Sequence, residues 1–174
     1  MEVDLLAGIN IFKIAAENKI KVIFSSTSEV FGRNKNVPWK EDDDRVLGAT
    51  NIHRWCYSTS KAACEHYLFA LGKQEKLPFV IYRFFNVYGP NEYHKGDMRS
   101  MVHKGYHEIK SKGAIRLFKS HKPEYRDGEQ KRDFIYVKDA VELVYYFIEH
   151  PDKRGIFNIG TGSAKTWNDL AMAL

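Results

Sequence analysis

The run IKVIFSSTSEVFG, from Ile20 to Gly32, begins with a short apolar, β-branched stretch and ends in a cluster of hydroxyls. Ile20 to Phe24 suits a parallel strand covered on both faces, since a strand buried on two sides has no solvent face to keep polar. Upstream, Leu5, Ile9, Phe12 and Ala16 recur at helical spacing and Asn18 closes the pattern, so a helix feeds the strand. Downstream, a charged loop through Pro38 and the acidic run Glu41 to Asp44 leads to a helix from Tyr57 to about Leu71. Gly72 stands where a helix C-terminus favours a left-handed residue. Phe79 to Phe85 is the next strand, and Asn86-Val87-Tyr88-Gly89-Pro90 turns out of it. Helical signals return near Asp97 to Lys110, followed by a short strand at Ile115 to Phe118. Asp139 can cap a helix carrying Ala140, Leu143, Val144, Phe147 and Ile148. Gly155 to Ile159 is a further strand, and Thr166 with Asp169 has the spacing of a capping box. Strands alternating with helices predict an α/β, Rossmann-like doubly wound parallel sheet.

Composition narrows the function classes. At 174 residues, 44% hydrophobic and 28% charged, the chain has the make-up of a globular domain with a real core. No apolar run approaches the roughly 18 residues of a membrane span, so no membrane partner is expected and the cytoplasm is the expected compartment. Cys56 and Cys64 lack any metal-ligand or disulfide spacing, and one packed and one idle thiol are expected. Of the +5 net charge, the densest part lies between Lys104 and Lys138, where ten Lys or Arg face five Asp or Glu. That stretch is interrupted by acids and carries no nucleic-acid motif, so no nucleic-acid partner is expected. His103 and His107 stand four apart without the glutamate and third ligand of a zinc helix; they read as surface histidines, and no metal is expected.

Thirty residues after Thr27 comes Tyr57-Ser58-Thr59-Ser60-Lys61. Tyr57 and Lys61 fall one helical turn apart on one face, where an ammonium can favour the ionised phenol and make it a usable base. The pattern alone is weak. With 10 Tyr in a lysine-rich chain one chance copy is expected, and Tyr106 with Lys110 supplies it. Tyr57 differs in lying between two apolar strands that each end in a small polar group, whereas Tyr106 reads as a solvated helix face.

Five motifs occur together: SSTSEVFG from Ser25, YSTSK from Tyr57, RFFNVYGPN from Arg83, QKRDFIYVKDA from Gln130 and NIGTG from Asn158. In this order they resemble the extended short-chain dehydrogenase/reductase family of nucleotide-sugar epimerases, dehydratases and decarboxylases. Asn86 to Met98 and Leu117 to Phe134 resemble its epimerase branch, while the first half, through NIHRWCYSTSK, looks more like its decarboxylases. The resemblance implies NADP or NAD as cofactor, a nucleotide-diphosphate sugar as substrate and a homo-oligomer at full length. It implies that Tyr57 and Lys95 are acid/base groups, that Thr27 hydrogen-bonds the reacting oxygen, and that Lys61 binds the nicotinamide ribose while lowering the Tyr57 pKa. Val87 would lie near the cofactor, and Asn86, Asp97, Lys104, Phe118 and Arg132 would meet the substrate. A dinucleotide in such a sheet is held by a glycine-rich turn after the first strand. None of the 12 glycines forms it; Gly160-Thr161-Gly162 comes nearest but reads as a tight strand-to-helix turn. The expectation is therefore a partial Rossmann domain over 1–174 that lacks the glycine-rich N-terminal half, with substrate-binding segments at about 92–133 and 161–174. A catalytically silent relative is the rival from outside enzymology, and the joint presence of Thr27, Tyr57 and Lys61 speaks against it.

Overall fold

The computed structural model describes residues 1–174. The elements are a π-helical turn at Glu2–Ala7 continuing as α1 (Gly8–Glu17), then β1 (Val22–Thr27), α2 (Trp55–Gln74), β2 (Phe79–Phe84) and β3 (Asn86–Tyr88). A 3-10 turn at Tyr93–Met98, α3 (Met101–Lys112), β4 (Lys131–Tyr136), α4 (Val137–Glu149), β5 (Gly155–Ile159), β6 (Ala164–Thr166) and α5 (Trp167–Ala173) complete the chain. They form two compact units, Met1–Phe84 with Tyr146–Asn158, and Phe85–Tyr145 with Ile159–Leu174. No helix is long and apolar enough to cross a membrane.

In the first unit the sheet has the order β1-β2-β5, and β1 pairs in parallel with β2. Its core joins Phe12 and Ala15 of α1, Val22, Cys64, Leu68 and Leu71 of α2, and Leu77, Phe79 and Ile81. Each fully buried aliphatic or aromatic side chain there contributes roughly 1.5–3 kcal/mol relative to exposure. The α/β architecture is as the sequence predicts, but several boundaries move. β1 starts at Val22, not Ile20, because the Ile20 amide bonds the Ala15 carbonyl and so belongs to the closure of α1. Gly72 does not end α2. The helix runs through it to Gln74, and a Cβ at Gly72 would come within 2.5 Å of the Phe79 ring, so the glycine serves helix-to-strand packing. The left-handed residue after the helix is Lys76, at φ 56°.

The second unit has its own sheet, β3-β4-β6, in which β4 pairs in parallel with β3 and antiparallel with β6. Asn86-Val87-Tyr88 is thus a strand rather than a turn. Ile115 to Phe118 is not a strand: it has no ladder partner, and the Phe118 carbonyl instead accepts from the Gly128 amide. The helix expected at Asp97 to Lys110 begins at Met101, with Ser100 capping the His103 amide. Asp139 lies inside the first turn of α4 rather than ahead of it. Gly160-Thr161-Gly162 links β5 to another strand, β6, not to a helix. Both hydrogen bonds of the Thr166/Asp169 capping box form at α5.

Candidate active site

In the first unit β1 ends in Ser25-Ser26-Thr27, and α2 crosses with Tyr57 and Lys61 facing it. Lys61 Nζ donates to the Ser25 carbonyl at 3.0 Å and pairs with Asp4 Oδ1 at 3.2 Å. It also lies 5.0 Å from the Phe24 ring centroid and 5.8 Å from that of Tyr57. Thr27 accepts from the Glu29 amide, turning the chain into the short helical turn Ser28–Phe31. Thr27, Tyr57 and Lys61 are therefore brought together, as their spacing predicts.

The electrostatics are the reverse of those expected. Burial, and then the Asp4 and Glu29 carboxylates, push the Tyr57 phenol above its ordinary value, with the Thr27 hydroxyl opposing them. The Lys61 ammonium meanwhile pairs with Asp4 and donates to the Ser25 carbonyl. Tyr57 rests protonated, with 43% of its surface open to solvent.

The other expected residues lie in the second unit. Lys95 sits in the 3-10 turn and pairs with Glu92 Oε2 at 3.4 Å. Sequence reasoning missed Glu92, which is buried and accepts from the Gly89 amide at 3.3 Å, the Ser100 amide at 2.8 Å and the Ser100 hydroxyl at 2.6 Å. Burial alone would raise its pKa; the Ser100 and Gly89 donors and the Lys95 ammonium outweigh that and hold it below the usual range. Glu92 thus fastens both ends of the Lys95 turn. Lys104 Nζ donates to the Asp97 carbonyl, so Asp97 and Lys104 meet through backbone rather than as a side-chain ion pair. Asn86 Nδ2 bonds the Asp133 carbonyl at 3.1 Å, and Val87 is half-buried beside Ile135. Phe118 and Arg132 converge on Trp167, at 5.6 Å ring to ring and 5.9 Å guanidinium to ring. Trp167 was not expected either; an aromatic that is buried at the start of a short helix carries no periodic signal. His103 and His107 are half-buried rather than surface residues, their rings tilted against each other with centroids 4.6 Å apart, and Tyr93 bonds His107 Nε2 at 3.2 Å.

The protein's own residues test the fit of a dinucleotide. The open phenol beside a hydroxyl and an ammonium fits the nicotinamide-ribose end. The Gly160-Thr161-Gly162 turn does not fit a pyrophosphate, because the Asp133 carboxylate already takes the Thr161 amide and hydroxyl and the Gly162 amide at 2.7–2.9 Å.

Among proteins of known identity, an ADP-L-glycero-D-manno-heptose-6-epimerase of Nitratidesulfovibrio vulgaris is 39% identical over 174 residues, covering all of this chain and 52% of that one. UDP-N-acetylglucosamine 4-epimerase from Methanobrevibacter ruminantium, solved with UDP-N-acetylmuramic acid, superposes with a TM-score of 0.80 at 32% identity, over 98% of this chain and 51% of the other. The Helicobacter pylori ADP-L-glycero-D-manno-heptose-6-epimerase gives 0.77 at 28% identity, over 96% and 48%. The chain spans about half the length of the curated relatives it matches. Residues 1–160 match the NAD dependent epimerase/dehydratase family, and the chain belongs to that family.

Proposed function

We propose that the whole protein is an NAD(P)-dependent nucleotide-sugar epimerase, acting on an ADP-glycero-manno-heptose at C6. The convergence of Thr27, Tyr57 and Lys61 on one strand end carries the reading, and the similarity to heptose epimerases over the entire chain supports the sugar. A bound nicotinamide supplies the hydride acceptor and donor that lets one sugar centre be oxidised and returned with opposite configuration. Tyr57 exchanges the proton of the reacting hydroxyl and Thr27 orients that oxygen. Lys61 holds the nicotinamide ribose, and Val87 is assigned to the cofactor by resemblance to the family. Inversion presents the oxygen in two orientations, so a second acid/base group is required, and Lys95 fills that role. Because Tyr57 rests protonated, it acts as an acid until a cation beside it lowers its midpoint. Arg132 grips a diphosphate with parallel hydrogen bonds, while Asn86, Asp97, Lys104 and Phe118 line the sugar and nucleotide. The segments 92–133 and 161–174 thereby serve the substrate. A cytoplasmic, homo-oligomeric enzyme completes the proposal, by resemblance to the family.

A second reading, oxidative decarboxylation of a nucleotide uronate, is favoured by one observation: Glu29 follows the hydroxyl pair Thr27-Ser28 directly, its amide donating to Thr27 Oγ1 at 3.2 Å, which sets a carboxylate-bearing residue beside that pair. Proton NMR of ADP-heptose incubated with the full-length protein and NAD(P) separates the two. Inversion at C6 is expected; its absence, with carbon dioxide released from UDP-glucuronate, replaces the epimerase by the decarboxylase.

A further inference from the structure

Directly behind the reactive face lies a buried ion pair. Glu65 and Arg83 are only 4% and 5% exposed. Arg83 Nε reaches Glu65 Oε1 at 3.1 Å, and a second guanidinium nitrogen reaches Oε2 at 2.8 Å, a two-pronged pair. Glu65 Oε1 also accepts from the Ser26 hydroxyl at 2.5 Å. Arg83 further donates to the Glu41 carbonyl at 2.9 Å and stacks over the Phe31 ring at 4.7 Å.

The placement of these groups matches the catalytic residues. Tyr57, Lys61 and Glu65 follow at intervals of four on α2 and so share one face. Ser26 stands between Ser25, which receives Lys61, and Thr27, which faces Tyr57. Ser26 and Arg83 are register partners across β1 and β2. Glu65 therefore grips both members of one sheet rung. Beyond this pair and the contacts of Lys61 and Tyr57 at the exposed end of β1, α2 meets the sheet through apolar Cys64, Leu68 and Leu71. Apolar burial is non-directional and would tolerate a small slide or roll of the helix. A two-pronged charged hydrogen bond is directional, and burial makes any misplaced geometry costly.

We propose that Glu65 is a positioning residue, which with Arg83 and Ser26 sets the register of α2 on β1 and so holds Tyr57 at Thr27. This rests on the catalytic reading of Tyr57 given above. Stability and positioning separate in the paired change Glu65→Met with Arg83→Met, because a buried ion pair replaced by apolar side chains of similar volume is often neutral for stability. In the full-length protein that variant is expected to keep its melting temperature to within a few degrees while kcat falls roughly ten- to a hundredfold, as sub-ångström misplacement does. KM should stay within about twofold, the pattern for a group that acts in the chemical step. The 13Cζ resonance of Tyr57, assigned by its loss in Tyr57→Phe, should move. A folded double variant with unchanged kcat and an unmoved resonance overturns the proposal. Should the double variant not fold, Ser26→Ala decides: one hydrogen bond is lost, kcat should drop about three- to tenfold, and unchanged kcat overturns the proposal. Full turnover in Tyr57→Phe would instead overturn the catalytic reading, and the Tyr57 resonance would still judge the positioning role by itself.

Discussion

Two Tyr-x-x-x-Lys pairs occur in this protein, and internally they have the same geometry. Lys61 lies 5.8 Å from the Tyr57 ring centroid, and Lys110 lies 5.8 Å from that of Tyr106. The rings are also alike in exposure, at 43% and 48%. Their surroundings differ. The Lys61 side chain is only 14% exposed, tied to a strand carbonyl and to Asp4, and α2 is bolted beneath it by Glu65 and Arg83. Lys110 and Tyr106 stand on the open side of α3, which carries only Gly105 as a buried residue. Helical spacing brings any such pair together; what sets one of them apart is a facing strand that ends in the Thr27 hydroxyl.

The largest expected effect tests whether α2 is as firmly seated as the contrast requires. Leu68→Ala removes a fully buried side chain that seats α2 on the core of the first unit and should cost about 2–5 kcal/mol in chemical denaturation. Next, Lys61→Met in the full-length protein should lower kcat/KM roughly ten- to a hundredfold if Lys61 serves catalysis. Lys110→Met should leave it unchanged, and an equal loss in both would erase the distinction.

A smaller effect concerns pH. The folded Tyr57 holds its proton above the ordinary value of 10.0, chiefly through burial and then through Asp4 and Glu29. A raised folded pKa means that this group's contribution to stability is intact below about pH 10 and is lost as pH rises through the folded midpoint. Asp4→Asn should bring the midpoint down, read from the 13Cζ shift of Tyr57; an unmoved or rising midpoint would show that Asp4 is not a cause. Least of all, Tyr106→Phe should change stability by no more than about 0.5 kcal/mol, as for surface substitutions generally.

Much of this contrast was legible in the residues. The strand from Val22 and the helix through Tyr57 stand out because their apolar positions are continuous or periodic, and Thr27, Tyr57 and Lys61 fall on elements that periodicity locates. The sign of the Tyr57 shift was not legible. It depends first on how deeply the folded protein buries the phenol, and then on the Asp4 and Glu29 carboxylates that the fold brings beside it, Asp4 from more than fifty residues upstream. Glu65 and Arg83 were missed for the same kind of reason, since their meeting depends on how α2 lies across β2. In the second unit β4 reads KRDFIY, charged at one end and apolar at the other, which gives neither strand alternation nor a buried run, and β6 has three residues. Ile115 to Phe118 shows the opposite error, an apolar run whose partners turn out to be a carbonyl contact and Trp167 rather than a ladder.

The proposed function requires that surroundings, not spacing, single out Tyr57 over Tyr106 as the acid/base group. Turnover of ADP-heptose by full-length Tyr57→Phe and Tyr106→Phe, followed side by side by NMR at C6, tests it most directly. The expected result is a loss of about a hundredfold or more in the first, the typical share of a general acid/base group, and parental turnover in the second. Parental turnover in Tyr57→Phe, or equal losses in both, would contradict it.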